Sequence, residues 1–547
     1  MACVAAAADG QTLPPQLPQG PLTLADVLEI AEARSEAVGI ARTGITRAEA
    51  DRIRARSGLF PQLSGSASYE RALASEFEGV FDGGGPACPP FMPDPAAALE
   101  ARLVEVERVI ECGAVGSGLF GGGASQDGTD GGFEDLPFGR ENTWRVSLAF
   151  SQNLYSGGRI GAQLAVAAAT RDAAELTITA ARGQVLFDAT QAFYDAALSQ
   201  RLLEIAEATL QQAGATLRQV QAGLDAGTQP EFEVLRARVD RDNQLPELIR
   251  QRVNREVALL RLKQLLDLPA TFNLQLTDPL ADDMLAPPPV FAVRVAAVEK
   301  AMQSSDVTSL IAQALSVALP ERAAVDAASA RLRQDQAALE VVEAERRPRA
   351  TITSSYSRIA YPTGVFDGLD NWRTNWTLGA SVEVPILTGG RQRGDELAAR
   401  AAVQESAVRL QQTRELAGLD TRLAWAELLA ARATWEASAG TVEQASRAYE
   451  IADVRYRAGV STQLELSDSR LLLQQAEVNR ARAARDLQVA RARVALLPEL
   501  PLTTTSTGAL MQSPAPTPGP APQPQQPLGS GGLRAASAQG VQTQAGR

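Results

Sequence analysis

The chain has 547 residues, 45% of them hydrophobic but only 5% aromatic, and a net charge of −12. That acidity argues against a phosphate-binding surface and so against nucleic acid as a partner; the absence of any histidine removes the commonest general base and zinc ligand, and no enzyme, cofactor or metal motif stands out. An alanine-rich, aromatic-poor chain suits thin, closely packed helices better than a deep globular core.

Residues 1–21 open with MACVAAAADG, an apolar stretch with an alanine-rich, cleavage-like site but no basic region. They read either as the remainder of a signal peptide plus a linker or as an ordinary tail. A helical pattern covers Leu22 to Ser57. A strand is expected at 62–71, where Leu63, Gly65, Ala67 and Tyr69 alternate with Gln62, Ser64, Ser66, Ser68 and Glu70. Residues 72–143 form a long loop with a short helix, Pro95 to Ile110, capped by Asp94. Cys88 and Cys112 lie in that loop and could form one disulfide in an oxidising compartment. Asp127, Asp130, Glu134 and Asp135 match no calcium-loop spacing well, which favours a plain surface loop. In the second strand, 144–154, Trp144, Val146, Leu148, Phe150 and Leu154 alternate with Arg145, Ser147, Ala149, Ser151 and Asn153. Such alternation marks a half-buried strand, and about ten residues is also the length of a tilted strand crossing a bilayer.

A proline-free helix then covers 159–224. Ala189, Ala196, Leu203, Leu210, Leu217 and Leu224 recur every seven residues, with Ala192, Ser199, Ala206, Ala213 and Val220 three further on. A 3.5-residue repeat implies left-handed supercoiling, and the small second position lets backbones approach. Gly227 can stop this helix in the left-handed conformation, with Thr228 available as the next cap. A return helix, 230–268, is expected to kink or break at Pro246. Residues 269–308 carry little periodicity and read as a linker. The order then recurs in 309–501: helix 310–345, strands 350–358 and 374–386, helices 391–456 and 462–497, with a turn at Gly459 and Ser461. Residues 502–547 are rich in Pro and Gln and read as disordered.

That recurrence is a repeat of two units, 22–268 and 309–501. Trp144 and Trp376, Gly157-Gly158-Arg159 and Gly389-Gly390-Arg391, Phe193 and Trp425, Gly227 and Gly459, and Glu233 and Glu465 are all separated by one offset of 232 residues. Upstream, Pro61 and Tyr69 match Pro348 and Tyr356 at 287, so the first unit carries an insertion of 287 − 232 = 55 residues between Tyr69 and Trp144. Four strands cannot close a barrel alone, and lipid tolerates no open sheet edge, so the chain must share a barrel with copies of itself. The fold class expected is α+β: a long antiparallel coiled-coil α-barrel plus four transmembrane β-strands per chain. A soluble periplasmic coiled-coil spacer is the rival reading; it accounts for the heptads but not for the strands.

PLTLADVLEIA at the start, LFPQLSGSASY entering the first strand, FSQNLYSGGR leaving the second and VRYRAGVSTQLELSDSRLLL at the second turn give the chain a resemblance to the TolC-type outer-membrane efflux and secretion channels over about 22–501. The resemblance implies a homotrimer with a twelve-stranded barrel in the lipid of a Gram-negative outer membrane and a helical tunnel in the periplasm. It also implies a periplasmic adaptor and an inner-membrane transporter of the RND or ABC type as partners. By the same resemblance, the tips at Gly227, Thr228, Gly459 and Ser461 meet the adaptor. Tyr456, Glu465 and Asp468 match positions that narrow the periplasmic entrance, where two acids per chain would form a cation-attracting ring or, alternatively, an ordinary solvated helix face. Glu233 matches Glu465, but Arg236 stands where Asp468 is and could pair with an acid to hold the tips shut. Arg218 and Arg457 are weaker candidates.

Overall fold

Few helices in a chain of this composition find a globular core to lie on, so their stability must come from side-by-side pairing along heptad seams. The computed structural model, which describes residues 20–73, 94–111, 141–277, 280, 285–304, 322–362, 365 and 371–502, shows that pairing. In chain order the elements are α1 (Leu24–Arg34), α2 (Glu36–Ser57), β1 (Gln62–Arg71), α3 (Leu99–Glu111), β2 (Asn142–Tyr155), α4 (Arg159–Asp225), α5 (Glu231–Leu265) and α6 (Ala292–Ser304). They continue with α7 (Ala323–Ala344), β3 (Arg349–Ala360), β4 (Arg373–Glu383), α8 (Arg391–Arg457) and α9 (Gln463–Leu496). Helices α4 and α8 have 67 residues each, roughly 100 Å at ~1.5 Å per residue. The seam positions Ala189, Ala196, Ser199, Leu203, Ala206, Ala213 and Val220 are buried, as are Ala424, Leu428, Ser438 and Ala452 in α8.

The largest core lies midway along the long helices. There Phe193 and Tyr194 of α4 and Trp425 and Leu428 of α8 meet α1, the end of α5 and the last turns of α9. Leu22 joins the segment after α5 through a backbone bond from its N–H to Gln275 O at 2.8 Å. The segment expected to be a plain linker contains α6, whose Val295 is buried in this core and whose Glu299 accepts from Arg491 Nε at 2.8 Å.

Several expectations need correction. The first helix is two, because Ser35 is extended (φ −61°, ψ 121°) and its hydroxyl accepts from Val38 N–H to cap α2. One apolar face of α1 enters the core while α2 stays largely exposed, so the chain changes direction between them. Pro246 does not break α5, which runs through it to Leu265; beside it, buried Leu248 packs on Leu203 and Ala206 of α4, and that packing outweighs the lost hydrogen bond. Asp94 bonds Ala96 N–H, two residues on, and α3 begins only at Leu99. A bulge lies between Asn153 and Tyr155 and sets Tyr155, rather than Leu154, opposite Ala350. The last strand stops at Glu383 instead of residue 386. Cys88, Cys112, Asp127, Asp130, Glu134, Asp135, the leader reading of 1–19, the first part of the helix expected at 310–345 and the tail from 503 lie outside the described residues.

Strands β2 and β4 each hand over to a long helix through paired glycines, Gly157-Gly158 at φ 65° and 91° and Gly389-Gly390 at 60° and 90°. Gly157 is doubly constrained. A Cβ there would meet Arg347 Cβ at 2.7 Å and Ala344 O at 2.9 Å, in a conformation that side chains disfavour.

Candidate functional site

Two places are candidates for function: the sheet, and the helical tips at the far end of α4 and α8. The sheet order is β1-β2-β3-β4, every pair antiparallel. Directly paired residues share a face, so the register sorts the side chains. One face carries Leu63, Ala67, Tyr69, Val146, Leu148, Ile352, Tyr356, Trp376, Leu378 and Val382; the other carries Ser64, Ser66, Ser147, Ser151, Thr353, Ser355, Asn375, Thr377 and Ser381. On the small polar face the hydroxyls of Ser66 and Ser147 lie 2.7 Å apart. On the apolar face Leu63, Trp376 and Leu378 are each more than 70% exposed in the single chain, far more than water tolerates on a finished surface. Near the loop end, Tyr69 stacks on Trp144 with centroids 5.0 Å apart, and Arg358 lies over Trp372. Among the described residues no helix is long and apolar enough to cross a membrane.

At the tips, Gly227 (φ 69°) and Gly459 (φ 73°) end α4 and α8. Thr228 N–H bonds Gly223 O at 2.8 Å and Val460 N–H bonds Arg455 O at 2.9 Å, each tying the chain back to the last helical turn. One capping role differs from that expected. Thr228 donates back to Gly223 O at 3.0 Å, in the last turn of α4, and does not cap α5. Thr462 caps α9, accepting from Glu465 N–H, while Ser461 Oγ is enclosed without a partner.

Tyr456 packs on the tip cluster of Val220, Val234 and Ala237. Burial, and secondarily the Glu233 carboxylate, push its phenol above the ordinary value. Glu233 is also held by Gln463, which is 2% exposed; oriented to satisfy its neighbours, the Gln463 amide donates to Glu233 Oε2 at 2.7 Å. One heptad further along both helices, Arg470 of α9 forms an ion pair with Asp240 of α5, and Ser467 Oγ donates to the same carboxylate at 3.2 Å. Arg470 is 4% exposed, so this charge is taken out of water and needs its partner. The structure thus brings Tyr456 and Glu233 together and adds Gln463, Asp240 and Arg470. Their seven-residue spacing is visible in the sequence, but nothing local says that α5 faces α9.

Glu465 and Asp468 share one face and line an open groove with Ile451 and Ala452. Glu465 already has a counter-ion, Arg455, at 3.0 Å. Arg236 forms no ion pair among the described residues, and near the tips a cation that links the two hairpins is Arg470. Arg457 pairs within its own helix with Asp453 at 2.8 Å. Arg218 lies beside Gly214 on α4.

Residues 120–267 and 314–498 match the sequence profile of the outer membrane efflux protein family. The chain belongs to that family. Among curated proteins it is 28% identical over 332 residues to Protein CyaE of Bordetella pertussis; the match covers 60% of this chain and 64% of that relative, so the chain spans less than two thirds of it. Solved structures share the fold at low identity. The CmeC outer membrane channel of Campylobacter jejuni is similar with TM-score 0.61 and 16% identity, over 88% of this chain and 87% of that one. The outer membrane protein VceC of Vibrio cholerae gives 0.60 and 18% over 87% and 96%. The open-state MtrE outer membrane channel of Neisseria gonorrhoeae gives 0.60 and 17% over 88% and 89%.

Proposed function

We propose that three copies of this chain close a twelve-stranded barrel in the outer membrane and continue it as a periplasmic helical tunnel. It serves as the passive exit duct of a tripartite efflux or secretion system. The carrying observation is the sheet: one apolar exposed face, one small polar face, and two edges, β1 and β4, that are free among the described residues. Lipid forbids bare edges. With an even number of alternating strands, β4 of one copy meets β1 of the next antiparallel, and the small hydroxyl face becomes a wet lumen. Ten residues in β1, tilted by about 40°, span roughly the ~25 Å apolar band of such barrels. The equal lengths of α4 and α8, and of α2 and α7 at 22 residues each, support the two-unit repeat.

In this reading the tips form the periplasmic entrance. Tyr456, Glu233, Gln463, Asp240 and Arg470 hold the two hairpins of a chain together, and Glu465 and Asp468 face the passage. The Gly227 and Gly459 turns meet a periplasmic adaptor, which connects the duct to an inner-membrane transporter of the RND or ABC type. The test is direct. Purified full-length protein in detergent should have the mass of three chains and should conduct ions in planar bilayers. A water-soluble monomer without conductance would overturn the proposal and favour the soluble spacer, a reading the exposed Leu63, Trp376 and Leu378 already oppose.

A further inference from the structure

Helices α2 and α7 match in length, as do α4 and α8, so positions along them correspond one to one. One correspondence fails chemically. Arg322, immediately before α7, is 0% exposed and donates to Asp420 Oδ2 of α8 at 2.6 Å; Arg493 of α9 donates to Oδ1 at 3.1 Å. In the first half Ser35 stands immediately before α2 in the place of Arg322, and Asp188 occupies the position in α4 that Asp420 occupies in α8. Arg261 corresponds to Arg493. Neither counterpart supplies Asp188 with a cation. Ser35 is uncharged and caps α2, and no Lys or Arg among the described residues forms an ion pair with Asp188, which accepts from Gln184 Nε2 at 2.7 Å.

Where the guanidinium would lie there is a cleft of ≈620 Å³ between the α1–α2 junction, α4 and the end of α5. Val185, Leu260 and Leu265 form apolar wall beside Asp188. The other charged groups facing it are Arg34, Glu36, Lys263 and Asp267. Lys263 Nζ is engaged by Ala270 O at 2.9 Å, and Arg34 Nε is enclosed without a hydrogen-bond partner. Burial raises the Asp188 carboxyl above its ordinary value, opposed only by the Gln184 bond.

We propose that this cleft binds a guanidinium-bearing organic cation, with its head on Asp188 and an aliphatic stem along Val185, Leu260 and Leu265. A carboxylate accepts a guanidinium through a two-pronged, charge-assisted fork, and the cleft falls in the size range of small-molecule sites. The second half of the molecule supplies the template, since there the chain's own Arg322 fills the corresponding place. The site does not depend on the duct reading, and its test does not use conductance.

Isothermal titration of the full-length protein in detergent with agmatine, a guanidinium on a four-carbon stem, should show saturable binding of one molecule per chain. Asp188→Asn, which keeps the Gln184 contact, should weaken it by about tenfold or more. Ser35→Arg should fill the cleft with a tethered guanidinium, abolishing agmatine binding. Absence of binding to the unmodified protein, equal binding to the Asp188→Asn variant, or agmatine binding undiminished in the Ser35→Arg variant would each overturn the proposal.

Discussion

Replacing Asp240 by asparagine tests whether the hairpins are held together at the proposed entrance. The substitution keeps shape and removes the charge that faces Arg470, a residue only 4% exposed. Removing one partner of a buried pair costs about 3–5 kcal/mol; the Asp240 side chain is 22% exposed and the new amide oxygen can still accept from Ser467, so we take about 2 kcal/mol per chain. The pair joins α5 to α9, one hairpin to the other, so the cost falls on the closed arrangement of the tips more than on either hairpin. About 2 kcal/mol shifts a closed–open balance by about thirtyfold per chain. Single-channel recording should therefore show a higher conductance or a longer open time for Asp240→Asn. The double variant Asp240→Leu/Arg470→Met, which swaps the pair for apolar contact, should return toward the closed behaviour. Asp240→Asn channels that conduct like the unmodified protein but melt earlier would refute the reasoning, because the pair would then be plain structural support.

Three further outcomes are expected. Gly157→Ala should destabilise the chain by about 1–3 kcal/mol, since the new Cβ meets Arg347 and the Ala344 carbonyl; Gly389→Ala, with open space at the same φ sign, should cost less, and thermal unfolding of the two variants compares them. Leu378→Arg on the apolar sheet face should cost about 2–4 kcal/mol at mid-bilayer and reduce assembled protein in membranes, whereas Ser355→Arg on the polar face should leave assembly intact and lower conductance. Tyr456 has a raised phenol pKa, through burial first and Glu233 second, so the folded tip holds its proton more tightly than the unfolded chain. Its contribution is complete below about pH 10 and disappears as pH climbs through the raised value; alkaline opening seen in bilayer recordings should weaken in Tyr456→Phe.

Much of this protein is written locally. Alternation along Gln62–Glu70 and Arg145–Ser151, the proline-free heptads of α4 and the glycine turns at 227 and 459 depend on neighbours within one or two turns, so periodicity alone finds them. The family resemblance rests on the same local features in a fixed order. What the sequence left hidden concerns which helix faces which. Pro246 breaks a helix in isolation, yet α4 holds α5 together on both sides of it; Ser35 splits a helical pattern because only α1 enters the core; α6 has little periodicity and is fixed by Arg294 and Glu299 bonding α9 and its following turn.

The candidate site divides the same way. By itself the sequence determined the strands' two faces and the lengths of the long helices, because side-chain period and turn chemistry are properties of short segments; Tyr456, Glu233, Glu465 and Asp468 enter only through the family resemblance. Only the tertiary structure decided that Glu465 carries Arg455 as a counter-ion, that Arg470 rather than Arg236 spans the hairpins, and that Arg322 reaches Asp420 while Asp188 faces an open cleft. Those pairings join residues as many as 230 positions apart. Coulomb energy depends on separation in space, and no short-range pattern encodes which distant carboxylate a buried guanidinium will meet.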